Sequence, residues 1–392
     1  MPKFIPLSVP NLRGNELAYV TEAIEAEWVS TGGSFINRLE RELAAYLGMA
    51  QAVACQSGTA GLHLALQLCG VGAGQEVLVP TLTFIAAVNP VRYCGAEPVF
   101  LDCDDSFCID PVKLDTFCAA CDRAADGSLI NPATKKPITA LVVVHVFGNA
   151  ADLERIMDTA ARYRLKVVED ATEALGTRYE TGRYTGRFCG TIGDFGVFSF
   201  NGNKIVTTGG GGAMVSTHPE LLAKAKYLST QAKDDELYFV HGEVGYNYRM
   251  TNLQAAVGVA QLEQLETFIG TKRRNFELYR ELVASLPGIQ LSPFRESTRP
   301  NYWFYSLIID AAVSGIDRDG LMHALHAANI QSRPVWKLNH EQAPYRNNQL
   351  HDATRAGEFW RTVLNVPCST NLSEDDVGTV VAAIATAMKG LA

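Results

Sequence analysis

The sequence predicts an α/β fold with a mostly parallel sheet, because two features recur along the chain. Short apolar runs such as "EVLVP" (76–80) and "ALVVVHVFG" (140–148) are typical of strands in a sheet that is covered on both faces. A helical pattern follows each run, as "ADLERIMDTAARY" (151–163) follows the second one. Ligands of such sheets bind at the carboxyl ends of the strands, so a site is expected there.

The other elements of this sheet follow in order. "QAVAC" (51–55) leads to the helical "SGTAGLHLALQL" (57–68), and "EVLVP" leads to "TFIAAVNPVRYCG" (83–95). Four further strands are predicted: "EPVFLD" (97–102), "LKVVED" (165–170), "GDFGVFSF" (193–200) and "GGAMVS" (211–216). The stretch from Asp104 to Pro137 interrupts the alternation, and its turn formers indicate a surface excursion.

A long helix is predicted to begin near Asn252, after "GYNYRMTN" (245–252), and to lead into a second domain. The prediction rests on apolar residues that recur at helical spacing: Leu253, Val257, Ala260, Leu262, Leu265 and Ile269. The 392 residues, 47% of them hydrophobic, are enough for two cores. We therefore expect a large domain over residues 1–260 and a smaller one over residues 261–392.

The predicted second domain has three recognisable elements. "YWFYSLIID" (302–310) is strand-like, and Leu321 and Leu325 share one face of a helix. The last helix is expected to start at Ser373, because Asp376 three positions later completes a capping pattern.

Composition excludes several classes of function. The net charge is −8 and no run of Lys or Arg stands out, so no nucleic-acid surface is expected. The beginning, "MPKFIPLSVPNLRG", lacks the apolar core of a signal peptide, and no window approaches the roughly 18 apolar residues of a membrane helix. Nine scattered cysteines suit reduced thiols, and we expect a cytoplasmic protein.

Two short patterns suggest sites and are set aside. Cys118 and Cys121 form a CxxC, but no second well-spaced pair follows, so no metal site is predicted. "GVGAG" (70–74) precedes a strand, whereas a dinucleotide fingerprint must follow one and open a helix. It is interpreted as a turn.

Three polar features fall where predicted strands end. Ser57, Gly58 and Thr59 stand between a strand and a helix, where free N–H groups and the helix dipole favour phosphate. Asp170 ends "LKVVED", and a carboxylate at the edge of a buried sheet needs a cation or a donor. Lys204 lies between "FSFNGN" and four consecutive glycines. Taken singly, "SGT" also fits an ordinary helix cap, and Lys204 also fits a solvated turn.

Together, these features match the requirements of pyridoxal 5′-phosphate (PLP). A lysine forms a Schiff base with the aldehyde, a carboxylate keeps the pyridine nitrogen protonated, and a helix N-terminus holds the phosphate. An aromatic residue of "PTLTFIAA" (80–87), Phe84, is expected to stack on the ring. The glycines after Lys204 leave room for the cofactor and a tight turn.

Five segments resemble the DegT/DnrJ/StrS family of sugar aminotransferases, and the likeness runs in order from about residue 5 to the C-terminus. The segments are "SGTAGLHLAL", "VLVPTLTFIAAVNPVRYCGAEPVFLD", "VEDATEALG", "GDFGVFSFNGNKIVTTGGGG" and "GYNYRMTNLQAAVGVAQL". The resemblance implies the fold type I architecture of aspartate aminotransferase. "FIPLSVPNLRGNE", "INPATKKPITALVVVHVFGN" and "LSTQAKD" are most similar to the branch that makes 4-amino sugars for legionaminic acid and bacillosamine-type glycans.

The resemblance also implies roles for single residues. Lys204 would be the Schiff-base lysine and proton carrier, and Asp170 would pair with the pyridine nitrogen. Glu173 would contact the cofactor from a position where many family members carry Gln or His. The phosphate would be held by residues of both subunits of a homodimer: Gly58, Thr59 and Ser199 of one chain and Asn247 of its neighbour. His145 is interpreted either as a residue near the ring or as a satisfied core histidine.

The substrates implied are a nucleotide sugar and L-glutamate. Candidate cations for the diphosphate, by resemblance, are Arg249, Arg333, Lys337 and His340, each of which also suits a solvated surface role. The leading hypothesis is amination at C4 of a nucleotide-linked 4-keto-6-deoxy-N-acetylhexosamine. The alternatives are a 3-keto sugar aminotransferase, a perosamine-type synthase, a PLP-dependent sugar dehydratase, whose branch replaces the lysine by histidine, and a non-catalytic interaction protein.

Overall fold

The computed structural model describes residues 3–235 and 237–389. The α-helices of these residues are α1 (Glu16–Glu25), α2 (Ser34–Leu47), α3 (Gly58–Leu68), α4 (Asn89–Tyr93), α5 (Pro111–Ala119), α6 (Leu153–Tyr163), α7 (Pro219–Ser229), α8 (Asn252–Val283), α9 (Ala311–Ser314), α10 (Arg318–Ala327), α11 (Thr354–Thr362) and α12 (Glu374–Lys389). Short 3-10 helices occupy Ile85–Ala87, Val146–Gly148, Asn339–Glu341 and Ala343–Tyr345.

The β-strands are distributed over one large sheet and three small ones. In chain order they are β1 (Val53–Cys55), β2 (Glu76–Pro80), β3 (Glu97–Leu101), β4 (Asp122–Arg123), β5 (Leu129–Ile130), β6 (Pro137–Val144), β7 (Lys166–Asp170), β8 (Arg178–Tyr179), β9 (Phe195–Ser199), β10 (Gly212–Ser216), β11 (Lys233–Asp235), β12 (Val240–His241), β13 (Ile289–Leu291), β14 (Thr298–Arg299), β15 (Tyr305–Ile309), β16 (Arg333–Pro334) and β17 (Val363–Val366).

The large sheet confirms the predicted α/β architecture. Its strand order is β1-β10-β9-β7-β6-β2-β3, and the pairs from β9 to β3 are all parallel. Strands β10 and β1 continue the sheet in antiparallel pairs. The strands β2, β6 and β7 are buried almost throughout, which explains their continuous apolar sequences. The carboxyl ends of β6, β7 and β9 therefore open on one edge of the sheet.

The predicted surface excursion contains more structure than its turn formers indicated. Helix α5 and a small hairpin of β4 and β5 lie within it, and β5 adds to the edge of β6. Leu129 and Asn131 are fully buried, so this stretch also contributes to the core. The reason is tertiary: Asn131 donates a hydrogen bond of 2.7 Å to Glu76 at the start of β2.

Helix caps explain two boundaries that the sequence predicts. Helix α8 begins at Asn252, as expected, because Thr251 and Gln254 form a capping box. Ser373 and Asp376 form a similar pair of bonds at the start of α12. The Asp376 N–H donates to the Ser373 hydroxyl, and the Ser373 N–H donates to the Asp376 carboxylate. Helix α8 continues to Val283 without a break. The division at residue 260 falls inside this helix and stays a prediction.

The segment 3–9 belongs structurally to the far end of the chain. Ile5 pairs with Ile330, and the Cys368 N–H donates to the Leu7 carbonyl over 2.8 Å. Lys3 forms an ion pair of 2.7 Å with Asp376 at the start of α12. This segment thus runs beside the sheet β13-β15-β17-β16. None of the helices described is long and apolar enough to cross a membrane.

Candidate active site

A cavity of about 810 Å³ opens at the carboxyl ends of β7 and β9. It lies where the parallel-sheet argument places a ligand, and its volume is within the range of small-molecule sites. Eight of the predicted site residues line it: Gly58, Thr59, Phe84, Asp170, Glu173, Ser199, Lys204 and Arg333. The cavity therefore gathers predicted site residues that are as much as 275 positions apart in the sequence, from Gly58 to Arg333.

The N-terminus of α3 forms one wall. Ser57 caps the helix, and its hydroxyl accepts the N–H of Ala60 over 3.1 Å. The N–H groups of Gly58 and Thr59 have no protein partner within residues 3–235 and 237–389. A side chain at position 58 would come within 3.0 Å of Thr172 and Ser199, so only glycine fits without a shift. The wall is therefore suited to an anion held by backbone N–H groups.

Asp170, the last residue of β7, supplies a buried carboxylate. Its Oδ1 accepts the N–H of Thr172 over 3.1 Å. Burial raises the pKa of Asp170, and the bonds from Thr172 and the charge of Lys204 oppose that rise. A cationic donor beside this carboxylate would stabilise its ionised form.

Lys204 lies in the turn after β9, and its N–H donates to the carbonyl of Asn201 over 3.0 Å. Its Nζ is 3.5 Å from Oε1 of Glu173 and 4.1 Å from the centroid of the Trp303 ring. The lysine end is therefore held between a carboxylate and an indole face. Sequence reasoning missed Trp303, because position 303 lies in a strand-like run and no spacing relates it to position 204.

Glu173 is nearly fully buried and has two different neighbours. Its Oε2 accepts the N–H of Phe147 over 2.8 Å, and its Oε1 faces Lys204. Phe147 adopts a φ of 57°, a left-handed conformation that is uncommon for a residue other than glycine. Burial raises the pKa of Glu173 to about 7, although the charge of Lys204 works in the opposite direction.

This raised pKa predicts a pH dependence of stability. A carboxyl group that binds its proton more tightly when folded stabilises the protein fully below its unfolded pKa, near 4.5, and loses that contribution as pH rises through 7. We expect the free energy of unfolding of the cofactor-free chain to fall over this window, relative to Glu173→Gln, by on the order of 3 kcal/mol. Urea titrations of both proteins at several pH values measure the difference. Parallel curves would contradict the raised pKa, and Glu281→Gln, at an exposed position, controls for the loss of a carboxylate.

His145 is a core histidine with both ring nitrogens bonded. The Ala151 N–H donates to Nδ1 over 3.2 Å, so the ring proton resides on Nε2, which donates to Glu169 over 3.0 Å. Burial alone would raise the pKa of Glu169, but the bonds from His145 and from the N–H groups of Gly193 and Gly190 lower it. This network fixes the strand end beside Asp170.

Asn247 and Arg249 lie outside the cavity that contains Lys204. Both line a separate groove of about 950 Å³, together with Glu40 and Lys226. They belong to an extended segment in which Asn247 pairs with Thr230. Within this chain, the two residues are therefore not brought together with the other predicted site residues.

Two further substrate candidates also lie outside the cavity lining. Lys337 is half-exposed and lies 3.9 Å from Glu341. His340 Nδ1 forms a bond of 2.7 Å with the Thr81 hydroxyl, and burial lowers its pKa. Among the four candidate cations, Arg333 is the one on the cavity wall.

The cavity fits PLP on its own chemistry. A helix N-terminus with free N–H groups, a buried carboxylate and a lysine suit the phosphate, the ring nitrogen and the aldehyde of this cofactor. No cluster of metal-ligating side chains is found within the residues described.

Comparison with known proteins gives the family. A sequence profile of the DegT/DnrJ/EryC1/StrS aminotransferase family matches residues 10–385. The chain is 38% identical to GDP-perosamine synthase of Caulobacter vibrioides over 382 residues, which are 97% of each protein. It is 35% identical over 386 residues to EpsN of Bacillus subtilis, which bears the name of a pyridoxal phosphate-dependent aminotransferase; the match covers 97% of this chain and 95% of EpsN.

A solved structure agrees with this assignment. The aminotransferase TlmJ from Streptoalloteichus hindustanus superimposes with a TM-score of 0.88 at 27% identity, covering 100% of both chains. Fold, site chemistry and sequence thus lead to one conclusion. The chain belongs to the DegT/DnrJ/EryC1/StrS aminotransferase family and is a PLP-dependent sugar aminotransferase of fold type I.

Proposed function

We propose that this enzyme transfers the amino group of L-glutamate to C4 of a nucleotide-linked 4-keto-6-deoxy sugar, for surface glycan biosynthesis. The observation that carries the proposal is the meeting of Asp170 and Lys204 in one cavity at the N-terminus of α3. Bound PLP supplies the electron sink for the carbon that gains or loses a proton. A cytoplasmic location is part of the proposal, since all nine cysteines are free.

Each residue of the cavity has a task in this proposal. Asp170 holds a proton on the ring nitrogen, and the free N–H groups of Gly58 and Thr59, with the Ser199 hydroxyl, bind the phosphate. Phe84 is half-exposed at the cavity and lies against the ring. Lys204 anchors the cofactor covalently. It also moves the proton between the carbon of the substrate that bears the amino group and the carbon of the cofactor to which that group is joined.

Arg333 is the strongest candidate for the nucleotide end of the substrate. Its side chain is exposed at the cavity wall, and no acidic group of the residues described pairs with it. Because the net charge of the chain is −8, a local unpaired cation is needed to attract a diphosphate. Lys337 and His340 are kept as weaker candidates, and Arg249 is a candidate for a site shared with a second subunit.

Two forms of the sugar remain in the proposal. The relative named GDP-perosamine synthase, at 38% identity, favours a GDP-linked hexose. The resemblance of "FIPLSVPNLRGNE" and "LSTQAKD" to the legionaminic acid and bacillosamine branch favours a 4-keto-6-deoxy-N-acetylhexosamine. A dehydratase is not favoured, because the chain keeps Lys204.

A panel of nucleotide sugars tests the proposed function. GDP- and UDP-linked 4-keto-6-deoxy sugars, with and without a 2-acetamido group, and a 3-keto analogue are incubated with glutamate and the PLP-loaded enzyme. We expect a product with the mass of a 4-amino sugar from one of the 4-keto substrates. Amination of the 3-keto analogue alone would contradict the proposed position, and loss of water without amination would indicate a dehydratase.

We further propose a homodimer in which Asn247 reaches the phosphate held by the neighbouring subunit. Several large apolar side chains of this chain are strongly exposed, among them Leu237, Tyr238 and Phe239, with exposed fractions of 75%, 76% and 67%. Such a patch is typical of a covered interface. Asn247 is itself exposed and lies in a groove away from the Lys204 cavity of its own chain.

Complementation between two inactive variants tests the shared site. Lys204→Ala and Asn247→Asp would combine into mixed dimers that carry both lesions in one site and neither in the other. Random mixing is expected to restore about a quarter of wild-type activity, because half of the dimers are mixed and each has one intact site. Thr230→Asp, in the same groove, serves as a control for a new charge. Failure to recover activity after proven subunit exchange would place Asn247 outside the partner's site.

A further inference from the structure

The indole of Trp303 forms one side of the space that Lys204 occupies. Nζ lies 4.1 Å above the ring centroid, well within the distance at which an ammonium group is attracted to the face of a tryptophan. Trp303 is only 2% exposed, so little water competes for the charge. The carboxylate of Glu173, 3.5 Å away, contributes to the same position of Nζ.

Hydrogen bonds on three sides keep this ring in place. Nε1 donates to the carbonyl of Asn203, the residue before Lys204, over 2.8 Å. The Trp303 N–H donates to Asn301 Oδ1 over 2.9 Å, and its carbonyl accepts a bond of 3.1 Å from the buried ammonium group of Lys272. Phe304 stacks on the indole at 4.1 Å. An aromatic ring fixed this firmly presents a constant surface to the lysine.

We propose that the face of Trp303 is the position that the Lys204 ammonium group occupies whenever the lysine is not covalently attached to the cofactor. The inference rests on the proposed role of Lys204. Attachment breaks the C=O bond of the aldehyde and joins Nζ to that carbon as a C=N bond. The aldehyde oxygen leaves as water with two of the three ammonium protons, and the third stays on Nζ or passes to the carboxylate of Glu173, 3.5 Å away. The ammonium group that the ring attracts is thereby consumed. Trp303 therefore stabilises the free-lysine state and makes covalent capture of the cofactor weaker than it would otherwise be.

The proposal predicts that Trp303 affects the binding of two forms of the cofactor differently. PLP has the aldehyde and captures Lys204, whereas pyridoxamine 5′-phosphate (PMP) has an amine and leaves the lysine free. Removing the indole face should tighten the binding of PLP and leave the binding of PMP unchanged. The expected change in the ratio of the two dissociation constants is between about twofold and about thirtyfold, the range for an ammonium group on a tryptophan.

The experiment compares Trp303→Leu and Trp303→Phe with the wild type, using the full chain freed of cofactor. Dissociation constants for PLP and PMP are measured by absorbance and fluorescence, and borohydride trapping with peptide mapping reports attachment at Lys204. The leucine variant should show the larger shift in the ratio, and phenylalanine, which keeps a ring face, a smaller one. Phe304→Leu, which keeps the indole but removes the ring stacked on it, should shift the ratio less than Trp303→Leu does.

Three results would overturn the proposal. Equal weakening of both cofactors in Trp303→Leu would show a structural role for the indole. An unchanged ratio would show that the ring face does not stabilise the free ammonium group. Equal shifts in the leucine and phenylalanine variants would assign the effect to the lost Nε1 bond with Asn203. If the wild type itself traps no cofactor on Lys204, the proposed function fails instead, so the two failures are distinguishable.

Discussion

Replacing Lys204 by alanine is expected to abolish transamination while leaving a folded protein that still binds PLP, but without covalent attachment. The variant loses both the anchor and the group that moves the proton, and no other lysine lines the cavity within the residues described. Steady turnover of glutamate with the sugar substrate measures the loss. Thermal unfolding and the absorbance spectrum of the PLP complex, before and after borohydride, measure folding and attachment.

A lysine on the surface provides the control for this substitution. The Lys135 side chain is strongly exposed, and its Nζ lies 3.3 Å from the Asp122 carboxylate. It does not line the cavity. Lys135→Ala should keep normal turnover and normal trapping by borohydride. More than a trace of steady turnover in Lys204→Ala would contradict its assignment as the proton carrier.

The second large effect is expected for Asp170→Asn, which should reduce the rate far more than it reduces stability. Asparagine keeps the shape of the side chain and the bond from the Thr172 N–H, but it carries no charge to hold a proton on the ring nitrogen. A buried pair that loses one charge costs about 3–5 kcal/mol, which corresponds to a rate loss of about 150-fold to 5000-fold. Single-turnover rates with glutamate measure this loss directly.

Two measurements separate this effect from a folding defect. Because burial raises the pKa of Asp170, the asparagine variant should be as stable as the wild type without cofactor. Asp158→Asn, at an exposed ion pair with Arg183, controls for a lost carboxylate and should keep its rate. A normal rate in Asp170→Asn would show that this carboxylate has only a structural role.

The sequence was sufficient to predict the parallel part of the sheet, since the strands buried on both faces have continuous apolar runs. It also predicted that residues 58, 170 and 204 meet, because the carboxyl ends of parallel strands lie on one edge of a sheet. The start of α8 at Asn252 is predicted from local signals alone, and the capping box of Thr251 and Gln254 is its physical reason. In each case the structure is determined by residues close together in the sequence or by a pattern that repeats along the chain.

The contacts that sequence reasoning missed are between distant segments. The position of Trp303 over Lys204 depends on bonds to Asn203, Asn301 and Lys272, none of which follows from a periodic pattern. The bond between Glu173 and the Phe147 N–H joins two segments 26 positions apart, and Phe147 is a left-handed residue that is not glycine. The turn formers of residues 104–137 indicate a surface excursion, whereas burial of Leu129 and Asn131 determines the structure of this stretch.

The attachment of residues 3–9 to the end of the chain constrains the order in which the protein can fold during synthesis. Leu7 and Cys368 are separated by 361 positions, and Lys3 and Asp376 by 373. The first segment therefore leaves the ribosome long before its partners exist, and closing so large a loop is slow. Because Leu7 and Ser8 line the cavity, that wall cannot be completed on a nascent chain. We expect a ribosome-bound chain ending near residue 320 to contain the parallel sheet and to capture cofactor poorly until the last segment is released.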